Sequence, residues 1–274
     1  TKMKRILSVF AILTASATMA ATEQTPLWLR SNSISPDGSK IAFTYKGNIY
    51  IVNSDGGDAR QLTTNPAYDT APIWTPDGQS IVFCSTRERS KDIFMVPAKG
   101  GTPKRITTHP HNEALRTILD DGTIIFAAAI QQDAQYGDFP GQTQLYAVSP
   151  EGGRPEQVTS LPVMNMSVSK DGKVLYEDYK GYEDPFRKHH TSSVTRDIWL
   201  YTPAAGAKDF RISPDGTFTK LSTFNGEDRN PVFAADGKTF YYLSEADGTI
   251  NIYRCSIDSP GKSEQLTFYR HNPV

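Results

Sequence analysis

The sequence predicts an all-β protein: a β-propeller of four-stranded antiparallel blades, with five blades present and a sixth cut short. Three observations predict it. Asp-Gly turns recur along the chain, a strand carrying one aromatic residue recurs after each of them, and no helical periodicity appears beyond the first twenty residues.

The N-terminus stands apart from the repeats. Lys2, Lys4 and Arg5 precede an apolar stretch from Ile6 to Ala17, followed by the small residues Thr18 to Ala21. A basic segment, a short apolar segment and small residues at a cut site predict a secretory signal peptide over residues 1–20. The stretch falls short of the about 20 apolar residues that a membrane span needs. The expected localisation is therefore export, periplasmic or extracellular, with no membrane insertion once the signal is removed. Residues 21–274 form the propeller.

Asp37-Gly38, Asp77-Gly78, Asp121-Gly122, Asp171-Gly172 and Asp236-Gly237 each precede a β-rich run, as in Lys40 to Tyr45 and Ser80 to Ser85. An Asp-Gly between two short apolar runs marks a hairpin, because glycine accepts positive φ without a Cβ clash. These are the A–B hairpins. A third run follows in every unit: Asn48 to Val52, Asp92 to Val96, Gln144 to Val148, Asp197 to Tyr201 and Asn251 to Cys255. Each begins with a polar residue, then an aliphatic one, then an aromatic one, which suits a buried strand. The fourth runs, such as Arg60 to Thr63 and Lys104 to Thr107, surround a single aliphatic residue with polar ones, as an outermost strand would. Gly56-Gly57, Gly100-Gly101 and Gly152-Gly153 supply the turns between the third and fourth runs. Asn272-Pro273-Val274 repeats the Asn230-Pro231-Val232 that opens the fifth unit, so a sixth blade is expected to start at about residue 271. Five blades without a sixth would leave one face of blade one and one face of blade five uncovered.

The whole sequence carries a formal net charge of −1, and residues 21–274 hold 26 basic against 30 acidic residues. That balance makes no electrostatic case for nucleic acid or an anionic membrane. Cys84 and Cys255 sit in apolar strands of different units and read as small buried core residues.

Unequal connections locate the candidate site. In a propeller the B–C and D–A connections share one face, opposite the A–B and C–D turns. The B–C connection is two residues in the first unit, fourteen in the third (Ile130 to Thr143) and seventeen in the fourth (Lys180 to Arg196). Long loops are where binding tends to reside. All five histidines fall in B–C or D–A connections. The candidate peptide-binding residues are His109, His111, Tyr136, Phe139, Arg187, His189, His190 and His271. Neither His109-Pro110-His111 nor His189-His190 has the helical spacing of a zinc protease, and no Asp-x-Asp-x-Asp-Gly calcium loop occurs. No metal or cofactor is expected. G-x-S-x-G, H-E-x-x-H and a glycine-rich phosphate loop are all missing, so no catalytic residue is assigned.

Ser35-Pro36-Asp37-Gly38 before Ile41-Ala42-Phe43, and Thr75-Pro76-Asp77-Gly78 before Ile81-Val82-Phe83, resemble the TolB-type propeller repeat; the Gly-His and Trp-Asp markers of the Trp-Asp type are missing. Pro26 to Arg30, Arg187 to Ser193 and Arg196 to Tyr201 resemble secreted tricorn-protease-like serine peptidases of the C-terminal-processing class. That resemblance implies a six-bladed propeller ahead of a PDZ module and a serine peptidase domain, with the propeller gating or docking peptides or unfolded polypeptide. The family's catalytic residues would lie beyond Val274. The alternatives are a stand-alone TolB-like envelope scaffold for protein partners, or the propeller lid of a prolyl-oligopeptidase-type hydrolase.

Overall fold

The computed structural model describes residues 28–130, 143–159, 161, 163–181, 191–207 and 210–271. The expected signal peptide at residues 1–20 and the tripeptide at residues 272–274 lie outside the described residues.

Five four-stranded sheets follow one another along the chain. Blade one is β1 (Arg30–Ile34), β2 (Lys40–Tyr45), β3 (Asn48–Asn53) and β4 (Arg60–Gln61). Blade two is β5 (Asp69–Trp74), β6 (Ser80–Glu88), β7 (Ser90–Pro97) and β8 (Lys104–Arg105). Blade three is β9 (Glu113–Ile118), β10 (Ile124–Ala128), β11 (Gln144–Val148) and β12 (Glu156–Thr159). Blade four is β13 (Val163–Val168), β14 (Val174–Asp178), β15 (Ile198–Thr202) and β16 (Thr217–Lys220). Blade five is β17 (Asp228–Phe233), β18 (Thr239–Ser244), β19 (Asn251–Ser256) and β20 (Glu264–Gln265). Each sheet takes its strands consecutively and pairs them antiparallel, so among the described residues no strand from one end completes a blade at the other. The expected fold is the observed one.

The recurring Ser/Thr-Pro-Asp-Gly is explained atom by atom. Ser35 Oγ donates to Asp37 Oδ1 at 2.5 Å, the Ser39 N–H donates to the same oxygen at 3.0 Å, and Gly38 turns the chain at φ +73°. These bonds, led by the Ser35 hydroxyl, pull the Asp37 carboxyl down to about 2. Thr75 and Asp77 repeat the contact at 2.6 Å, Ser169 and Asp171 at 2.5 Å. The first strands of blades one, two and five share a second device. Ser31, Ala71 and Asn230 take positive φ of 49°, 54° and 53° where the strand register slips. A bulge there bends the strand, and it accommodates Pro72 and Pro231, which have no N–H for the ladder.

Four apolar clusters fill the four seams between the five blades. Ile81, Phe83, Phe94 and Val96 of blade two pack on Ala42, Ile49, Ile51 and Leu62 of blade one. Blades four and five repeat the seam with Leu175, Ile198, Leu200 and Leu221 against Phe240 and Cys255. Each large side chain buried this way stabilises the fold by about 2 kcal/mol. Both cysteines are buried and unpaired, as expected of core residues. Among the described residues no apolar cluster of this kind covers the outer faces of the end blades. Ile41, Phe43, Tyr50 and Val52 of blade one line an apolar groove of about 640 Å³ with Leu29 and Ile34. On blade five Ile252 is 38% exposed, whereas its counterparts Ile49, Ile93 and Ile198 are at most 1% exposed.

Candidate functional site

The face carrying the B–C and D–A connections is built from polar residues at the ends of the strands. Their positions follow from register. The first residue of the innermost strand is an acid in three blades: Asp69, Glu113 and Asp228. Each stands eight residues ahead of the turn aspartate of its own blade, at Asp77, Asp121 and Asp236. A hydroxyl residue ends the D region of each preceding blade. Thr63, Thr107 and Ser222 accept the Ile49, Ile93 and Ile198 N–H groups at 3.0, 2.9 and 2.7 Å. Thr107 then donates to Glu113 Oε2, and Ser222 to Asp228, joining one blade to the next.

The acids differ in what balances their charge. Arg87 Nη2 stands 3.0 Å from both Asp69 oxygens, and Arg87 Nε donates to Ser85 Oγ at 2.8 Å. The guanidinium lies over Phe94 and Phe83, 4.6 and 5.4 Å from their ring centres. Among the described residues no cation pairs with Glu113, and Arg105 acts on it only from a distance. Burial pushes its carboxyl up to about 7, with a further push from nearby Asp92, and Oε1 has no hydrogen-bond partner among the described residues. Burial likewise pushes Asp228 up to about 6 against the pull of the Ser244 and Ser222 hydroxyls. Asp92 pairs with Arg105 at 2.7 Å and accepts from Ser90 Oγ at 2.9 Å, yet burial still raises it.

Blade four adds a network of its own. Glu177, fully buried, accepts from Arg196 Nη1 at 2.8 Å, Asn165 Nδ2 at 2.9 Å and the Asn230 N–H at 2.8 Å. Asp197 is held by Lys180 at 2.5 Å and Lys220 at 2.8 Å. These contacts fix both ends of the long B–C connection of blade four. They also tie blade four to the bulge of blade five through Asn230.

The candidate binding residues fall into two groups. His109 and His111 stand side by side in the connection from blade two to blade three, with ring centres 5.2 Å apart at 73°. The His111 N–H donates to His109 Nδ1 at 3.3 Å, and His111 Nδ1 lies 2.9 Å from the Ala129 carbonyl, where it donates. Ser90 Oγ donates to the His109 carbonyl at 3.3 Å, so B–C and D–A connections do share this face. His271 is exposed on the same face, after Arg270, whose carbonyl accepts from Thr249 Oγ1 at 3.5 Å. Among the described residues no hydrogen bond or ring contact joins His271 to His109 or His111. Tyr136, Phe139, Arg187, His189 and His190 lie outside the described residues. Asp69 was read from the sequence as one of the residues around the histidines, whereas Arg87, Glu113, Glu177 and Asp228 were not singled out. The fixed eight-residue offset to the turn aspartate is the signal that finds Glu113 and Asp228.

Among the described residues no group of three or more His, Cys, Asp or Glu side chains is set to hold a metal. What the face offers is a rim of imidazole side chains and exposed loop over a base of buried carboxyls, some of them in ion pairs. Such a surface can bind and orient an extended chain.

Comparison with known proteins defines the lineage of this arrangement. The family described as the tricorn protease N-terminal β-propeller domain matches residues 26–274. This chain belongs to that family. Two tricorn protease homologs of Streptomyces coelicolor are 25% and 24% identical over 251 and 246 residues. The matches span 86% and 87% of this chain but only 19% and 20% of theirs, so the chain covers about a fifth of those relatives. The crystal structure of the tricorn protease superposes with a TM-score of 0.68 at 19% identity, over 89% of this chain and 23% of that one. A TolB from Agrobacterium tumefaciens superposes with a TM-score of 0.67 at 16% identity, over 89% of this chain and 82% of that one. As a tricorn N-terminal propeller, the chain has the TolB-like fold that its repeats imply.

Proposed function

We propose that this chain is the non-catalytic docking propeller of a larger exported serine peptidase, and that it holds peptides or unfolded polypeptide on the B–C and D–A face. The observation that carries the reading is a family one: a tricorn N-terminal propeller matching a fifth of the length of its relatives. The contact of His111 with the Ala129 carbonyl, just ahead of the long connection of blade three, agrees with it. Downstream, a PDZ module and a peptidase domain would supply the chemistry, and residues 1–20 would direct export.

Binding is tested with a permanently unfolded, carboxymethylated polypeptide. Saturable binding to the chain that weakens severalfold in His109→Ala/His111→Ala is the expected result. No binding, or binding indifferent to that double substitution, overturns the role of this face. The coding region beyond Val274 tests the rest. A stop soon after one more blade, with no peptidase domain, would favour the second reading, a stand-alone scaffold for envelope proteins. That reading rests on the breadth of the TolB match.

A further inference from the structure

Blade two contains its own arginine site, and blade five repeats the walls of that site without the arginine. Register fixes the correspondence. Asp69 pairs with Ser85 in blade two as Asp228 pairs with Ser244 in blade five. Phe83 pairs with Phe94 as Tyr242 pairs with Tyr253. Six residues separate Ser85 from Asp92, and six separate Ser244 from Asn251, both of which are again register pairs. Arg87 therefore corresponds to Ala246. The local backbone agrees: the Arg87 N–H donates to Ser85 Oγ at 3.4 Å, and the Ala246 N–H to Ser244 Oγ at 3.3 Å.

The walls match in geometry as well. Ring centres lie 6.1 Å apart at 29° for Phe83 and Phe94, and 5.8 Å apart at 33° for Tyr242 and Tyr253. Asp228 is 2% exposed, and its Oδ1 has no hydrogen-bond partner among the described residues. Ala246 is exposed and carries only a methyl group where Arg87 carries a guanidinium. Among the described residues no cation pairs with Asp228: Lys220 acts on it from a distance but is paired with Asp197 at 2.8 Å, Arg196 with Glu177 at 2.8 Å, and Arg229 with Glu227 at 3.3 Å. Blade three does not repeat the site, because Ile130 stands at the arginine position and packs into the apolar seam.

We propose that Asp228, Ser244, Tyr242 and Tyr253 form a guanidinium slot that takes an arginine side chain from polypeptide docked on this face. The inference rests on the docking reading and narrows its ligand. A planar guanidinium can meet the carboxylate and the Ser244 hydroxyl at its edge and the two rings at its face, as Arg87 does. An ammonium has no plane to stack and serves the slot less well.

The experiment compares two labelled, unstructured peptides that differ only in one arginine or its neutral isostere citrulline. The arginine peptide is expected to bind the chain at least about tenfold more tightly, the size of a desolvated cation–ring and carboxylate contact. Asp228→Asn should remove the preference. Ala246→Arg should remove it too by filling the slot from within, and should raise Tm by a few degrees, which shows that this variant is folded. Equal binding of both peptides overturns the slot and leaves docking standing, whereas binding of neither overturns docking as well. An arginine preference that survives in the Ala246→Arg variant also overturns the slot.

Discussion

Blades two and three place a carboxyl at the same register position, the first residue of the innermost strand, and balance it in opposite ways. Asp69 is met by Arg87, which reaches back from the following connection and stacks on two phenylalanine rings. Glu113 is met by the Thr107 hydroxyl and the Ile93 backbone, and among the described residues no cation pairs with it directly; the residue at the arginine position is Ile130. The Phe126 and Tyr146 rings beneath it are stacked at 5.8 Å and 29°, much as Phe83 and Phe94 are. One side chain thus decides whether a buried carboxyl faces a cation. Equivalent backbone positions in a repeat protein need not carry equivalent charge partners.

Removing Arg87 breaks the comparison most severely. Arg87→Ala leaves Asp69 fully buried with no cation, and stability at pH 7 is expected to fall by about 3–5 kcal/mol in chemical denaturation. A loss below about 1 kcal/mol would show that Asp69 is relieved by water instead.

Glu113→Gln tests the other half. Folded Glu113 keeps its proton to about pH 7, whereas an unfolded glutamate releases it near 4.5. The contribution of this group to stability is therefore complete below about pH 4.5 and is lost as pH rises to about 7, a swing of about 3 kcal/mol. The glutamine variant should be more stable than the parent at pH 8 by about 2–3 kcal/mol and should lose the slope between pH 4.5 and 7. A slope unchanged by the substitution would assign it to another group, Asp228 being next with its carboxyl pushed up to about 6.

Ile130→Arg sharpens the comparison by supplying the missing cation. The same pH slope should flatten because Glu113 ionises in the folded state. The net change in stability at pH 7 should stay within about 1 kcal/mol, since apolar packing is lost as an ion pair is gained. The smallest effect belongs to the histidines. His109→Ala and His111→Ala together should change stability by less than about 1 kcal/mol, because His111 is exposed and His109 only half-buried. A larger loss in thermal unfolding would make them structural parts of the connection and not a binding rim.

Much of this was legible in the sequence. The five Asp-Gly turns and the polar–aliphatic–aromatic strands gave the blade count and the order of strands, because both signals are local and repeat. The face holding His109, His111 and His271 followed from strand order alone. The pairing of Asp69 with Arg87 was not legible, although the two are only eighteen residues apart. It depends on the register of the A–B pair and on the path of the B–C connection over Phe83 and Phe94. Nor did the polar residue that starts each third strand reveal its partner. Asp92 meets Arg105 and Asp197 meets Lys220 because the third and fourth strands pair antiparallel, which brings the start of one beside the end of the other.

By itself the sequence determined that this protein is a propeller, since glycine at a tight turn and alternation along a strand act within a few residues of each other. Tertiary structure alone decided which carboxyls are paired. A charge buried in a seam takes its state from whatever the neighbouring strand and loop bring to within about 4 Å, and that juxtaposition exists only once the blades have packed.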